Sequence, residues 1–152
     1  MTLPASFPIS MSQIAAELGL SLPLSISHPW VEALANKSGL PVSFSDLLGK
    51  TAQFNGNISF TSGSFSTGFT PTLFGGTVLD MEGLYSGGVL TQVTLNFSSN
   101  PPVYRGNFLL VNHTTGQSIV VAYAGGNQWN NNAPPAGFIV GSNTYNFTVK
   151  PN

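Results

Sequence analysis

The chain of 152 residues has no cysteine and very little charge, with four Lys or Arg against five Asp or Glu. Absence of cysteine excludes a disulfide framework, a thiolate metal site and a cysteine nucleophile, so stability has to come from packing. The cations Lys37, Lys50, Arg105 and Lys150 are dispersed, and no stripe of them can neutralise a run of phosphates, which argues against nucleic acid as a partner. The start of the chain lacks the basic and continuous apolar regions of a signal peptide, and no apolar run approaches the roughly 20 residues that span a bilayer. The expectation is a protein made in the cytoplasm, neither exported by that route nor anchored in a membrane.

Apolar residues make up 41% of the chain and mean hydropathy is +0.18, enough to bury one core at this length. Charged residues are only 6%, against about 25% in typical soluble domains. Ser, Thr, Asn and Gly must therefore cover the surface. Such a surface offers little repulsion between copies and little long-range steering, which suits packing into an assembly as a homo-oligomer. Asn-X-Ser/Thr triplets at Asn36, Asn57, Asn96, Asn112 and Asn146 are expected by chance in this composition.

Internal repetition is the clearest signal. Pro8-Ile9-Ser10-Met11-Ser12, Pro23-Leu24-Ser25-Ile26-Ser27 and Pro41-Val42-Ser43-Phe44-Ser45 share one pattern, Pro-apolar-Ser-apolar-Ser. Each Pro favours an extended entry, the two apolar positions fall on one face, and the second Ser (Ser12, Ser27, Ser45) stands where a helix N-cap is expected. Short helices are predicted behind the copies, at 13–18 before Gly19, at 29–35 ending near Gly39, and as a single turn at 46–48 before Gly49. Helices this short are marginal alone, so their apolar residues need cover from the rest of the chain or from another protein. The candidate docking face is Ile9, Met11, Ile14, Leu18, Ile26, Trp30, Val31, Leu34, Phe44 and Leu47.

From about Thr51 the texture changes to short alternating or apolar runs separated by Gly, Asn, Pro and Ser. Strands are predicted at 53–60, 77–85, 89–97, 105–112, 118–124 and 144–150, the pattern of an all-β sandwich, jelly-roll or Ig-like. Residues 61–76 find no clear place, and 127–137 read as a Trp-, Asn- and Pro-rich loop. The fold expected is mainly β: an antiparallel β-sandwich over 52–152, preceded by an arm of short capped helices over 1–51.

Chemistry finds little support. Asp80 and Glu82 share one face of a predicted strand and suit a cation or an acid–base pair, but they equally mark a solvent face with Leu79 and Met81 turned to the core. They are also too close in sequence to flank a sugar ring comfortably as a glycosidase pair. His28 and His113 lack metal-ligand spacing, and no nucleophile elbow, dinucleotide fingerprint or phosphate loop is present. No enzyme activity, cofactor or metal is expected. Trp129 with Asn130, Asn131 and Asn132 forms a possible receptor loop, in which the indole would stack on a sugar and the amides would bind its hydroxyls.

Residues 8–51 resemble an N-terminal segment of tailed-bacteriophage and prophage virion proteins. The blocks that carry the likeness are Ile9-Ser10-Met11-Ser12-Gln13-Ile14 through Glu17-Leu18-Gly19, then Leu24-Ser25-Ile26-Ser27, then Val42-Ser43-Phe44-Ser45-Asp46-Leu47 with Gly49-Lys50. The middle block departs from the family pattern where His28-Pro29-Trp30 replaces an Asn-Asp type of helix start. The resemblance implies a virion structural protein of the tail or its neighbourhood (neck, tail tip or fibre attachment), docked through this segment on other virion proteins. A capsid decoration or cement protein and a host-receptor or glycan-binding adhesin are the alternatives.

Overall fold

The computed structural model describes residues 2–62 and 64–152. It is mainly β, with two short helices, α1 (Met11–Leu18) and α2 (Pro29–Leu34), and a 3₁₀ turn at Phe44–Leu47. These precede strands β1 (Phe54–Phe60), β2 (Ser66–Thr67), β3 (Thr72–Leu73), β4 (Gly76–Ser86), β5 (Val89–Phe97), β6 (Phe108–Asn112), β7 (Gln117–Gly125), β8 (Gln128–Asn131) and β9 (Thr144–Pro151). The strands form one antiparallel sheet in the order β2-β1-β9-β6-β7-β8-β5-β4-β3. The sheet curls back on itself: Phe65 bridges Glu82, and the Gly83 N–H donates to the Ser64 carbonyl at 3.0 Å.

Period-two alternation builds this sheet. In β9 the side chains of Tyr145, Phe147 and Val149 turn inward while Thr144 and Asn146 face out. In β4 the alternation changes phase at a bulge between Val78 and Asp80, because an extra residue reverses the face of those beyond it. Leu79 is therefore exposed and only Met81 is buried, which corrects the expectation that both face the core. The core is aromatic. Phe74 stacks on Tyr104 at 4.3 Å, and Trp129 meets Phe97 at 4.9 Å and Phe108 at 5.7 Å.

The unplaced stretch 61–76 supplies β2 and β3, and the expected loop at 127–137 begins as β8, a strand paired on both sides by β5 and β7. Arg105 lies outside β6, which starts at Phe108.

Helix starts also differ from expectation. Ser10, not Ser12, caps α1: its Oγ accepts from the Gln13 N–H at 3.3 Å, and the Gln13 side chain accepts from the Ser10 N–H at 2.8 Å. In the third copy Ser43, not Ser45, takes this place, with its N–H donating to Asp46 at 2.8 Å. In the second, His28 caps α2 through Nδ1, which accepts from the Trp30 N–H at 3.1 Å. The reciprocal Ser–Gln and Ser–Asp boxes satisfy donors on both sides of the cap and so move the helix start toward the first Ser.

The helices pack on the sheet. Ile14, Leu18, Val31, Leu34 and Leu47 are buried in one apolar cluster with Ile58, Phe74, Phe108 and Phe147. The fully buried Glu17 fastens α1 to the head of the sheet, its Oε1 accepting from the N–H groups of Ala52 at 2.6 Å and Gln53 at 3.2 Å. Burial raises the Glu17 pKa despite these two donors. Leu3 N–H to Lys50 O at 2.9 Å and Gly49 N–H to Pro4 O at 2.8 Å close the arm on itself.

Candidate functional site

The three repeat copies adopt one local structure. Pro8, Pro23 and Pro41 each follow a cis peptide bond. In every copy the first Ser Oγ lies within hydrogen-bond distance of the second, Ser10 to Ser12 at 2.9 Å, Ser25 to Ser27 at 2.7 Å and Ser43 to Ser45 at 2.7 Å. Burial repeats as well, since both serines are exposed while the apolar pairs Ile9 and Met11, Leu24 and Ile26, Val42 and Phe44 are half-buried against the core.

The repeat starts one residue earlier than its prolines indicate. A large apolar residue precedes each Pro, and these are among the most exposed apolar side chains described: Phe7 at 60%, Leu22 at 55% and Leu40 at 59%. More than half of each side chain's surface is open. The signal was present in the sequence, because all three copies read apolar-Pro-apolar-Ser-apolar-Ser.

The predicted docking face divides by burial. Ile14, Leu18, Val31, Leu34 and Leu47 are covered by the chain's own core, so in this conformation a partner does not reach them. Ile9, Met11, Ile26, Trp30 and Phe44 keep part of their surface open. The predicted receptor loop is overturned at its centre: Trp129 is fully buried, and its Nε1 donates to the Gly106 carbonyl at 2.8 Å. Asn130 and Asn131 are half-buried on the same strand, Asn131 donating to Val120 O at 2.8 Å, and Asn132 alone is exposed beyond it. A strand paired on both edges leaves no loop in which the indole could swing outward.

Asp80 accepts from Asn96 Nδ2 at 2.7 Å, and the Glu82 pKa is raised by burial and then by the neighbouring Asp80 charge. Among the described residues no group of three or more His, Cys, Asp or Glu is placed to hold a metal ion, and no helix is long and apolar enough to cross a membrane. His113 Nε2 pairs with Thr148 Oγ1 at 2.8 Å.

A groove of about 320 Å³ separates α2 from the segment leading into β6, lined by Trp30, Glu32, Lys37, Tyr104 and Arg105 among others. The Trp30 ring is held perpendicular to His28 at 5.8 Å and to Tyr104 at 5.9 Å. Lys37 Nζ lies 2.8 Å from Asp46 Oδ2, and this ammonium holds the Asp46 carboxyl well below the usual carboxylate range. The Arg105 guanidinium sits 4.9 Å over the Tyr123 ring and donates to the Pro102 carbonyl.

Comparison with protein-family models, curated proteins and solved structures gave no match to this chain.

Proposed function

We propose that the chain is a structural component of a tailed-phage particle, in the tail or close to it, that docks on neighbouring virion subunits through its N-terminal segment. In this reading the curled sheet is the displayed β-sandwich and residues 2–51 are the arm. The observation that carries the reading is the threefold exposure of Phe7, Leu22 and Leu40 at equivalent positions of one repeated module. An apolar side chain exposed once needs no explanation, but the same exposure at each copy of a motif marks a surface that is covered in use. Burying such a side chain against a partner contributes on the order of 1–2 kcal/mol, and three together make a specific contact without any ion pair. The low charge supports this, because apolar docking between crowded subunits needs no steering.

The test is particle incorporation of the triple variant Phe7→Ser, Leu22→Ser, Leu40→Ser. Its sheet should fold as before, and its amount in purified particles should fall at least about tenfold, as loss of a few kcal/mol of contact requires. Incorporation at the unmodified level would sink the docking role. Copy number in the same particles separates the tail reading, with a few to some tens of copies expected, from capsid decoration, with hundreds.

A further inference from the structure

We infer that the groove between α2 and the 102–106 segment is a binding site for a neutral saccharide, with Trp30 as its stacking surface and Glu32 and Arg105 as partners for its hydroxyls. The inference does not rest on the docking role, which is carried by Phe7, Leu22 and Leu40.

Scarce charge is what singles out this groove. The whole chain has four cationic and five acidic side chains, yet Glu32, Lys37 and Arg105 all line this one depression. Its volume of about 320 Å³ lies within the roughly 300–1,000 Å³ of small-molecule sites, and an aromatic surface with a few converging polar groups is their usual make-up.

The charges also limit what can bind. Lys37 is matched by Asp46 at 2.8 Å, which leaves Glu32 and Arg105 as one acceptor and one donor with no surplus of either sign. A phosphate or carboxylate ligand would meet the Glu32 carboxylate in the same groove as Arg105, whose guanidinium already donates to the Pro102 and Tyr104 carbonyls. A purely apolar ligand would strip water from three charged groups without replacing their hydrogen bonds. A sugar ring meets both conditions: its C–H face packs on the indole, and each edge hydroxyl donates to a carboxylate or accepts from a guanidinium.

The site is held in place before any ligand arrives. Trp30 is fixed by its perpendicular contacts with His28 and Tyr104, and Arg105 by Tyr123 and the Pro102 carbonyl. Side chains ordered in advance lose less freedom on binding. Trp129, buried in the sheet, backs this lining, its Nε1 donating to the Gly106 carbonyl at 2.8 Å and its ring 5.9 Å from the Arg105 guanidinium.

The Trp30 indole N–H resonance reports on the groove, and the amide resonances of Phe147 and Val149, buried in β9, report on the sheet core. The full chain is titrated with maltose, lactose and N,N′-diacetylchitobiose to about 20 mM, which covers millimolar affinities. The Trp30 resonance is expected to move saturably with at least one sugar while the Phe147 and Val149 amides stay. Glu32→Gln should weaken that binding about tenfold, the loss of one charge-assisted hydrogen bond, and Trp30→Ala should abolish it, read from the amide signals of Val103 and Gly106. Unmoved Phe147 and Val149 amide signals certify that both variants are folded. A Trp30 resonance insensitive to all three sugars overturns the inference. So does sugar binding that both variants leave unchanged, or a stronger response to inorganic phosphate than to any sugar.

Discussion

Arm and sheet treat their apolar residues differently. In the sheet, alternation turns nearly every large apolar side chain of β5, β6 and β9 inward, and the exposed ones, such as Leu79 and Val89, follow no common motif. In the arm, each repeat divides its three apolar residues in the same way, two half-buried against the core and one exposed before the Pro. Isolated exposure is what a finite supply of polar surface produces. Exposure repeated in register with a motif is the observation on which the proposed docking role rests. In the proposed docking role the arm serves both its own core and a surface beyond it.

The largest effect expected from a single substitution lies on the sheet side of this contrast. Trp129→Ala should cost about 3–5 kcal/mol, the range for removing a buried aromatic side chain, because it also leaves the Gly106 carbonyl without its donor. Urea denaturation followed by circular dichroism measures it. A cost under about 1 kcal/mol would return Trp129 to the exposed recognition role.

Next is Leu34→Ala, which asks whether arm and sheet are energetically one unit. Leu34 is fully buried in the cluster that also contains Phe74 and Phe108, so about 2–4 kcal/mol should be lost in a single transition common to all probes. If the sheet kept its own midpoint while the helices melted earlier, the arm would be a separable segment, and the five buried residues of the predicted docking face would regain that role.

Two arm carboxylates should give pH dependences of opposite sign. The folded pKa of Glu17 is raised above its ordinary 4.5 by burial, so its contribution is complete below that value and is lost as pH rises through the raised folded pKa. Asp46 is lowered from 3.8, first by the hydrogen bond from Lys37, and its contribution is present above 3.8 and disappears as pH falls. Midpoints measured across pH 3 to 8 for Glu17→Gln should show a smaller decline on the alkaline side than the unmodified chain, because Gln still accepts from Ala52 and Gln53 without a charge to desolvate. An unchanged profile would mean that the interactions of Glu17 in the folded chain match its hydration in the unfolded one.

Much of the sheet was legible locally. β5 runs over 89–97 as its alternation predicts, and β9 and β7 differ by a residue at their ends, because Val, Ile, Tyr and Phe at every second place specify both strand and face. β8 was not legible: Gln128-Trp129-Asn130-Asn131 has the composition of a loop, and it is a strand only because β5 and β7 offer ladders on both sides. That pairing is non-local and leaves no trace in four residues. The phase change in β4 likewise depends on a bulge formed with β5. In the arm the modules are visible as Pro-apolar-Ser-apolar-Ser, but the exposure of the apolar residue before each Pro depends on packing that the motif does not specify. The Trp30 groove is built by residues seventy positions apart and could not be read from spacing at all.

The smallest expected effect on stability sharpens the comparison most. With Phe7, Leu22 and Leu40 each more than half exposed, substitution by Ser should change stability by no more than about 0.5 kcal/mol apiece, as for surface positions without a special backbone role. The three sites lie in separate modules, so their effects should add. Urea midpoints of the single and triple variants test this directly. A triple variant destabilised by more than about 3 kcal/mol would mean that these side chains hold the modules to the core; folding would then explain the repetition, and the arm would follow the same rule as the sheet. A neutral result is the outcome that the proposed contact with another subunit requires of three large apolar side chains kept in water.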